Sequence, residues 1–160
     1  MQSLCGIAHF DYNIAGAYSY EQAFQVMRGL ELDYSQIEQF YRRMVFKVVA
    51  RNKDDHTKNI AFLMDKSGTW KLSPAFDVTY SYHPEGDWTK THQMSINNKR
   101  DEFTHDDLIA AGGNTSIKPR RDKAIIDEVA EVVSQWQKYA DMGDVAKAKI
   151  KMIAMNHRLL

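Results

Sequence analysis

The first third of the chain repeats apolar residues with the period of two helices. Ser19 and Gln22 have the spacing of a capping box, and the apolar residues that follow predict a helix over 20–30. Ser35 and Glu38 have the same spacing, and a longer apolar stripe follows them. Its members are Ile37, Phe40, Tyr41, Met44, Val45, Val48 and Val49. This second helix leads the chain from a buried face directly into the polar stretch ARNKDDHTKN.

The pattern then changes to that of two short strands. IAFLM and TWKL are separated by the glycine-containing turn DKSG, which predicts a β-hairpin. Two residues of each strand are expected to share one face of the hairpin: Phe62, Met64, Trp70 and Leu72. Pro74 stops the strand pairing, and residues 76–98 form a predicted irregular segment. A loop of that length is unusual unless it is functional or disordered.

The C-terminal half has helical periodicity. Thr104 can cap a short helix, HDDLIAA, which the following glycine pair ends. Pro119 suits the start of a long helix that Gly143 ends, and a last helix is predicted from Asp144 towards His157. The predicted fold class is therefore mostly α (α+β), helical with one short β-hairpin.

Composition limits the class of protein and its partners. The chain has 160 residues, 44% hydrophobic and 26% charged, which predicts a single domain with one core. Its 21 basic residues balance 21 acidic ones, so there is no general attraction to nucleic acid or to anionic membrane. No apolar run approaches the roughly 20 residues of a membrane span, no signal peptide is visible, and Cys5 has no second cysteine to pair with. We expect a cytoplasmic protein.

The polar stretch carries the residues of a phosphoryl-transfer site. Asp54 and Asn59 are five positions apart, and Asp77 follows 18 residues later, just beyond the predicted hairpin. Transfer from ATP needs a carboxylate that orients or deprotonates the attacking hydroxyl, and oxygen ligands that hold magnesium on the phosphates. Protein kinases use D-x-x-x-x-N followed, after a hairpin, by the aspartate of D-F-G. Lys58 lies within this pattern, where a cation could offset phosphate charge.

These segments resemble a known family. KDDHTKN, IAFLMDKSGTWKL and SPAFDV are similar to the catalytic and metal-binding segments of the HipA-like serine/threonine kinases, the toxins of bacterial toxin-antitoxin modules. The resemblance extends through SYEQAFQVM and HQMSINNKRDEFTHDDLIAAGG, so it covers most of the chain as a protein-kinase-like C-terminal lobe. It implies that Asp54 is the catalytic base, and that Asn59 and Asp77 bind magnesium. It also implies that Lys58 contacts the phosphates of ATP. His56 occupies a motif position, either in catalysis or as a brace for the loop.

The resemblance also implies partners and a missing part. The implied partners are a protein substrate such as an aminoacyl-tRNA synthetase, an antitoxin protein, and DNA only through that antitoxin. Complete kinases of this family have an N-terminal lobe with a phosphate-covering loop and a nucleotide-binding lysine, yet residues 1–19 contain two glycines and no lysine. Two kinase lobes need roughly 250 residues. We therefore expect residues 1–160 to be a single domain, an isolated C-terminal lobe with negligible kinase activity on its own.

Other readings stay open. The lobe could be a non-catalytic module that binds an antitoxin or a regulator. We interpret Asp55 as a structural carboxylate beside the base. We interpret the basic cluster within 118–123 as a solvated helix face rather than a DNA site. Three histidines lie near acidic residues but lack the spacing of metal ligands: His83, His92 and His105. Three hydroxyl side chains of the irregular segment are candidate phosphorylation sites: Thr79, Ser81 and Thr89.

Overall fold

A computed structural model describes residues 1–113, 115 and 117–160. Within that part of the chain the fold is mostly helical with one small antiparallel sheet, which confirms the predicted fold class. The helices are α1 (Leu4–Ala8), α2 (Tyr20–Gly29), α3 (Tyr34–Val49), α4 (His105–Gly113), α5 (Pro119–Ser134), α6 (Trp136–Met142) and α7 (Lys147–Asn156). The strands are β1 (Gln2–Ser3), β2 (Ala61–Met64) and β3 (Trp70–Leu72), and a 3-10 helix spans Thr57–Asn59.

Helices α2 and α3 begin at well-defined caps. The capping box at Ser19 and Gln22 is confirmed, with both of its hydrogen bonds present. The predicted cap of α3 at Ser35 is wrong, because the Asp33 side chain accepts the backbone N–H of Gln36 and the Ser35 hydroxyl donates to Asp33 instead. Aspartate outcompetes serine here because its carboxylate suits the positive end of the helix.

Helix α3 is the centre of the core. Its predicted apolar stripe is buried, from Ile37 to Val49, and α3 packs along α5. Tyr41 donates from its hydroxyl to the carbonyl of Leu108 on α4, at 3.0 Å, which satisfies the one polar atom of that buried ring. The end of α3, where the polar stretch begins, is therefore fixed by packing on several sides.

The sheet contains a strand that the sequence pattern did not reveal. The predicted hairpin is confirmed, and Phe62 pairs with Leu72 and Met64 with Trp70, as expected. The two-residue strand β1 adds to the free edge of β2, so the strand order is β1-β2-β3. The backbone N–H of Leu4 also donates to the carbonyl of Ile60 at 2.7 Å. The N-terminal segment thus holds the chain directly after the polar stretch.

The predicted long helix from Pro119 to Gly143 is wrong in one respect, since it is broken at Gln135 into α5 and α6. The turn is stabilised by Trp136, whose indole N–H donates to the carbonyl of Ile150 on α7 at 3.0 Å. Trp136 also lies edge-on to the ring of His157, with 5.8 Å between ring centres. Tertiary contacts of this kind can override a continuous helical pattern.

Helix α7 and the residues after it pack against the start of the polar stretch. The backbone N–H of Arg158 donates to the carbonyl of Val49 at 2.9 Å, and its guanidinium donates to Asp101 at 2.5 Å. Arg51 donates from Nε to the carbonyl of Asn156, also at 2.9 Å. The C-terminal residues are therefore part of the same packed unit.

The segment between β3 and α4 is irregular, as predicted, and it crosses the molecule. It contains isolated bridges, between Ser19 and Ser95 and between Ile96 and Lys99. Residues 92–94 of this segment are buried, and Met94 and Ile96 belong to the core. None of the helices in the described ranges combines the length and the apolar character that a membrane span needs.

Candidate active site

The polar stretch leaves α3 as a loop whose side chains alternate between the interior and the surface. Along residues 53–58, three side chains are buried and the three between them are partly or fully exposed. The buried side chains are Lys53, Asp55 and Thr57, and the others are Asp54, His56 and Lys58. The two adjacent aspartates therefore face opposite ways: 34% of the Asp54 side chain is exposed and none of Asp55.

Asn59 brings the two halves of the predicted site together. Its side-chain Nδ2 donates to the backbone carbonyl of Asp54 at 3.1 Å and to Oδ2 of Asp77 at 2.6 Å. These two hydrogen bonds orient the side-chain amide and leave its oxygen, Oδ1, as an acceptor. Residues 54, 59 and 77, which lie on both sides of the hairpin in sequence, are thus neighbours in space.

The segment that carries Asp77 is fastened to the loop at two further points. The side chain of Asn52 donates to the carbonyl of Thr79, and the backbone N–H of Asp54 donates to the hydroxyl oxygen of Ser81 at 3.0 Å. Asp77 itself has a φ of +50°, in the left-handed region where aspartate and asparagine are enriched among non-glycine residues. These contacts hold the Asp77 segment beside the loop.

Asp54 retains an acceptor atom without a partner. Its Oδ1 is buried and has no hydrogen-bond partner among the described residues, and it lies 3.5 Å from Nε2 of His56. The Nδ1 atom of His56 is also buried without a described partner. The backbone of Asp54 is held in place and its side chain is 34% exposed, so a substrate hydroxyl could reach the carboxylate, as a general base requires.

Lys58 is exposed and lies over an aromatic ring. Its Nζ is 4.8 Å from the ring centre of Tyr12, which belongs to the loop between α1 and α2, and the His56 ring is 5.7 Å from the same ring. This contact is a cation–π interaction that still leaves ammonium protons for a ligand. Tyr12 carried no signal in the sequence that would have placed it here.

Asp55 is a buried carboxylate with several hydrogen-bond partners, which agrees with the structural role predicted for it from the sequence. It accepts hydrogen bonds from the hydroxyl of Tyr20 at 2.8 Å and the backbone N–H of Gln93 at 2.7 Å, and it contacts Nδ1 of His92 at 2.9 Å. Burial alone would raise the pKa of Asp55, but the charge of His92 and its hydrogen bond reverse this and lower it. Burial, followed by the charge of Asp55, raises the pKa of Tyr20 well above its usual value.

A cluster of charged side chains lies at the start of the loop, directly after α3. Asp101 accepts from Lys53, which is fully buried, and also pairs with Arg51 and Arg158. Lys53 donates in addition to the carbonyl of Lys90 at 2.7 Å. The three cations and one carboxylate join the loop, the irregular segment and the C-terminal residues.

A cavity of about 630 Å³ opens beside Asn59, between α3, α5 and residues 73–78. Lys47 of α3 lines this cavity and is 5% exposed, and its Nζ has no hydrogen-bond partner in the described part of the chain. Sequence reasoning missed this residue, although a signal was present: Lys47 interrupts an otherwise apolar run, between Phe46 and Val48.

The donors at Asn59 and Asp77 fit magnesium. Nδ2 of Asn59 contacts Asp77, so an amide oxygen and a carboxylate belong to neighbouring side chains, and both are oxygen ligands of the kind that magnesium takes along with water and phosphate oxygens. The two side chains are partly or fully exposed, so a nucleotide can reach them. A site with two protein ligands of this type is normal for magnesium on ATP.

The other candidate residues have different contacts. His92 is buried against Asp55, and the described residues contain no group of three or more His, Cys, Asp or Glu side chains placed to hold a metal. In the basic cluster, Arg121 pairs with Glu38 at 2.5 Å and with Glu128 at 3.0 Å, and so links α5 to α3. Cys5 is a free thiol whose sulfur lies 3.2 Å from the Ser3 hydroxyl.

One family model matches most of this chain, and two curated relatives have names that describe kinases. The family model of the HipA-like C-terminal domain matches residues 1–136. "Putative kinase Y4dM" of Sinorhizobium fredii is 27% identical over 110 residues, and a "Putative kinase" of Haemophilus influenzae is 24% identical over 136 residues. These matches cover 68% and 75% of this chain but 26% and 39% of the relatives, so the chain corresponds to a minor part of their length.

A solved structure shares the fold. HipA of Shewanella oneidensis, in a complex of HipA, HipB and operator DNA, superimposes with a TM-score of 0.70 at 15% sequence identity. The match covers 95% of this chain and 37% of that HipA chain. It extends beyond the residues of the family match and therefore includes most of the C-terminal helices.

Proposed function

We propose, on the premise that this chain belongs to the HipA-like C-terminal domain family, that it is the catalytic part of a serine/threonine protein kinase. The relatives that it matches are named as kinases, and the fold is that of HipA. The proposed reaction transfers the terminal phosphate of ATP to a protein hydroxyl, in the cytoplasm where ATP is abundant.

One observation carries this proposal. Asn59 donates simultaneously to the Asp54 carbonyl and to the Asp77 carboxylate, and so joins the D-x-x-x-x-N loop to the aspartate after the hairpin. A polar surface loop would not need that junction. Phosphoryl transfer does, because the hydroxyl and the phosphate must be held in line by separate groups a few ångströms apart.

Each residue then has a chemical role. Asp54 orients the substrate hydroxyl and accepts its proton as the oxygen bonds to the terminal phosphorus and ADP leaves. Lys58 offsets the negative charge on the transferred group. His56, whose Nε2 lies 3.5 Å from Oδ1 of Asp54, orients that carboxylate.

Asn59 and Asp77 are the proposed magnesium ligands. Asn59 offers Oδ1, which its two hydrogen bonds hold in place, and Asp77 offers its carboxylate. Magnesium bound there would neutralise charge on the phosphates of ATP and of the transition state.

We expect residues 1–160 alone to have negligible transferase activity. Their matched relatives are considerably longer, and residues 1–19 contain neither a lysine nor a Gly-rich loop that could hold a nucleotide. Poor alignment of the terminal phosphate lowers rates by orders of magnitude. The complete gene product that contains these residues is therefore the protein to assay.

A binding role is the second candidate. The HipA neighbour forms a complex with HipB and operator DNA, which supports an antitoxin partner here, with DNA contacted only through it. In this alternative the lobe is a non-catalytic module. An aminoacyl-tRNA synthetase as substrate rests on the family resemblance alone.

The test is phosphate transfer by the complete gene product, with ATP, magnesium and candidate protein substrates. We expect Asp54→Asn to lower the rate by roughly 100-fold or more, the range for loss of a general base. Asp65→Asn, in the exposed hairpin turn, is the matched control and should retain the rate. Transfer that survives Asp54→Asn would refute the assigned base. Partner binding without any transfer by the wild-type protein would favour the second candidate.

A further inference from the structure

The cavity beside Asn59 has apolar walls and the size of a ligand site. Its volume of about 630 Å³ falls in the range of roughly 300–1,000 Å³ that small-molecule sites occupy. Apolar side chains line it from α3, α5 and the Asp77 segment: Phe40, Met44, Phe76, Val78, Val129 and Val132. Phe76, Val78 and Val132 are between 36% and 48% exposed, so these apolar surfaces are not covered by the described residues.

Two cationic side chains in one wall have unused donors. Lys47 is 5% exposed and its Nζ makes no hydrogen bond to a described residue, and the Nε of Arg43, one turn earlier, is likewise buried without a described partner. The other end of the Arg43 guanidinium is fixed, because NH1 donates to the carbonyl of Ser73 at 2.8 Å. A buried donor without an acceptor is costly, and a buried charge more so. An anionic group in the cavity would satisfy both.

The carboxylates near Lys47 do not satisfy its buried ammonium group. Burial lowers the pKa of its ammonium, and the charges of three aspartates, Asp55 first, oppose that effect. Asp55 already accepts from three other groups, and no carboxylate of the described residues lies within 4.0 Å of the Lys47 nitrogen. On the opposite wall, Glu128 is paired with Arg42 and Arg121, and Glu131 is exposed. The anionic end of a ligand is thus directed to the α3 wall.

We propose that this cavity binds a small amphipathic carboxylate, with its acid group on Lys47 and Arg43 and its apolar body between α3 and α5. Apolar walls with a few convergent polar groups are the usual form of such sites, where burial supplies affinity and the polar groups fix orientation. The proposal does not depend on kinase chemistry, since none of its anchoring residues has a part in the transfer reaction.

Calorimetric titration of the protein with decanoate tests this proposal, with decan-1-ol and decylammonium as probes of the same chain length. We expect saturable binding of one decanoate per chain, with decanol at least about tenfold weaker, since a charge-assisted hydrogen bond contributes that much. Decylammonium should not bind. Equal affinity for decanoate and decanol, or no saturable binding of decanoate, would overturn the assignment.

Two variants locate the site. Lys47→Met keeps the length of the side chain and removes its donor, and it should weaken decanoate binding about tenfold while leaving decanol unchanged. Lys66→Met removes the same charge from the exposed hairpin turn and should have no effect. Equal affinities of the two variants would place the ligand elsewhere. Competitive displacement of decanoate by ATP or by inorganic phosphate would assign the cavity to the nucleotide instead and also overturn the proposal.

Discussion

The two sides of the loop after α3 differ in the burial and pairing of their charged side chains. On the inner side, Lys53 and Asp55 are buried and every charged group has partners from distant parts of the chain. On the outer side, the Asp54 side chain is partly exposed, and Lys58 and Asp77 are exposed. The inner side fixes the backbone, and the outer side therefore presents reactive groups that do not have to stabilise the fold. Asp54 and Asp55 have the same side-chain chemistry, and only the direction in which each side chain points gives them these different roles.

The largest expected difference between the two sides is in stability. Asp55→Asn removes the charge that pairs with His92 and one of the acceptors for Tyr20 and Gln93, all of them buried. We expect the free energy of unfolding, measured by urea denaturation, to fall by about 3 kcal/mol, as when one partner of a buried pair is removed. Asp54→Asn is the matched control and should change it by less than about 1 kcal/mol. Equal losses would contradict the division between inner and outer sides.

The acid dependence of stability should come partly from the inner side. The pKa of Asp55 is lowered in the folded protein by His92, in spite of burial, so its contribution is fully present above the unfolded pKa of about 3.9. That contribution is lost as the pH falls through the lower, folded-state value. Between about pH 5 and pH 3 the difference in unfolding free energy between wild type and Asp55→Asn should therefore narrow, by at most about 1 kcal/mol. A difference that is independent of pH would show that Asp55 has the same pKa in the folded and unfolded states, and one that grows as the pH falls would show that Asp55 is neutral in the folded state.

The smallest effect on stability is expected from the hydrogen bond that attaches the backbone of Asp54 to the side chain of Ser81. Ser81→Ala removes the hydroxyl that accepts the backbone N–H of Asp54, and the free energy of unfolding should fall by about 1 kcal/mol. Thr79→Val is the control, because Thr79 is bound through its backbone carbonyl and its side chain is exposed. If both variants lose the same stability, the hydroxyl of Ser81 does not hold the loop.

Local signals in the sequence predicted much of the fold. The capping box at Ser19, the stripe on α3 and the hairpin register at Phe62 and Leu72 depend on residues close in sequence, and all three are confirmed. The break at Gln135 and the strand β1 were missed, because each is produced by a distant partner: Ile150 for the first and β2 for the second. No pattern within those segments contains that information.

The candidate site was predictable in its members and not in its surroundings. The spacing of Asp54, Asn59 and Asp77 indicated that they act together, and the structure brings them together through Asn59. The contacts of Asp55 with His92 and of Lys58 with Tyr12 join residues 37 and 46 positions apart, so no motif could indicate them. Their roles in magnesium binding and proton transfer stay predictions.

The attachment of Arg158 defines the smallest unit that should fold by itself. The family match ends at residue 136, yet Arg158 occupies the carbonyl of Val49 and one oxygen of Asp101, more than twenty residues further on. A truncation at the boundary of the match would leave the carbonyl of Val49 without this partner and would remove one of the donors to Asp101, at the root of the loop. A recombinant version of this domain should therefore extend beyond α7, at least through Arg158.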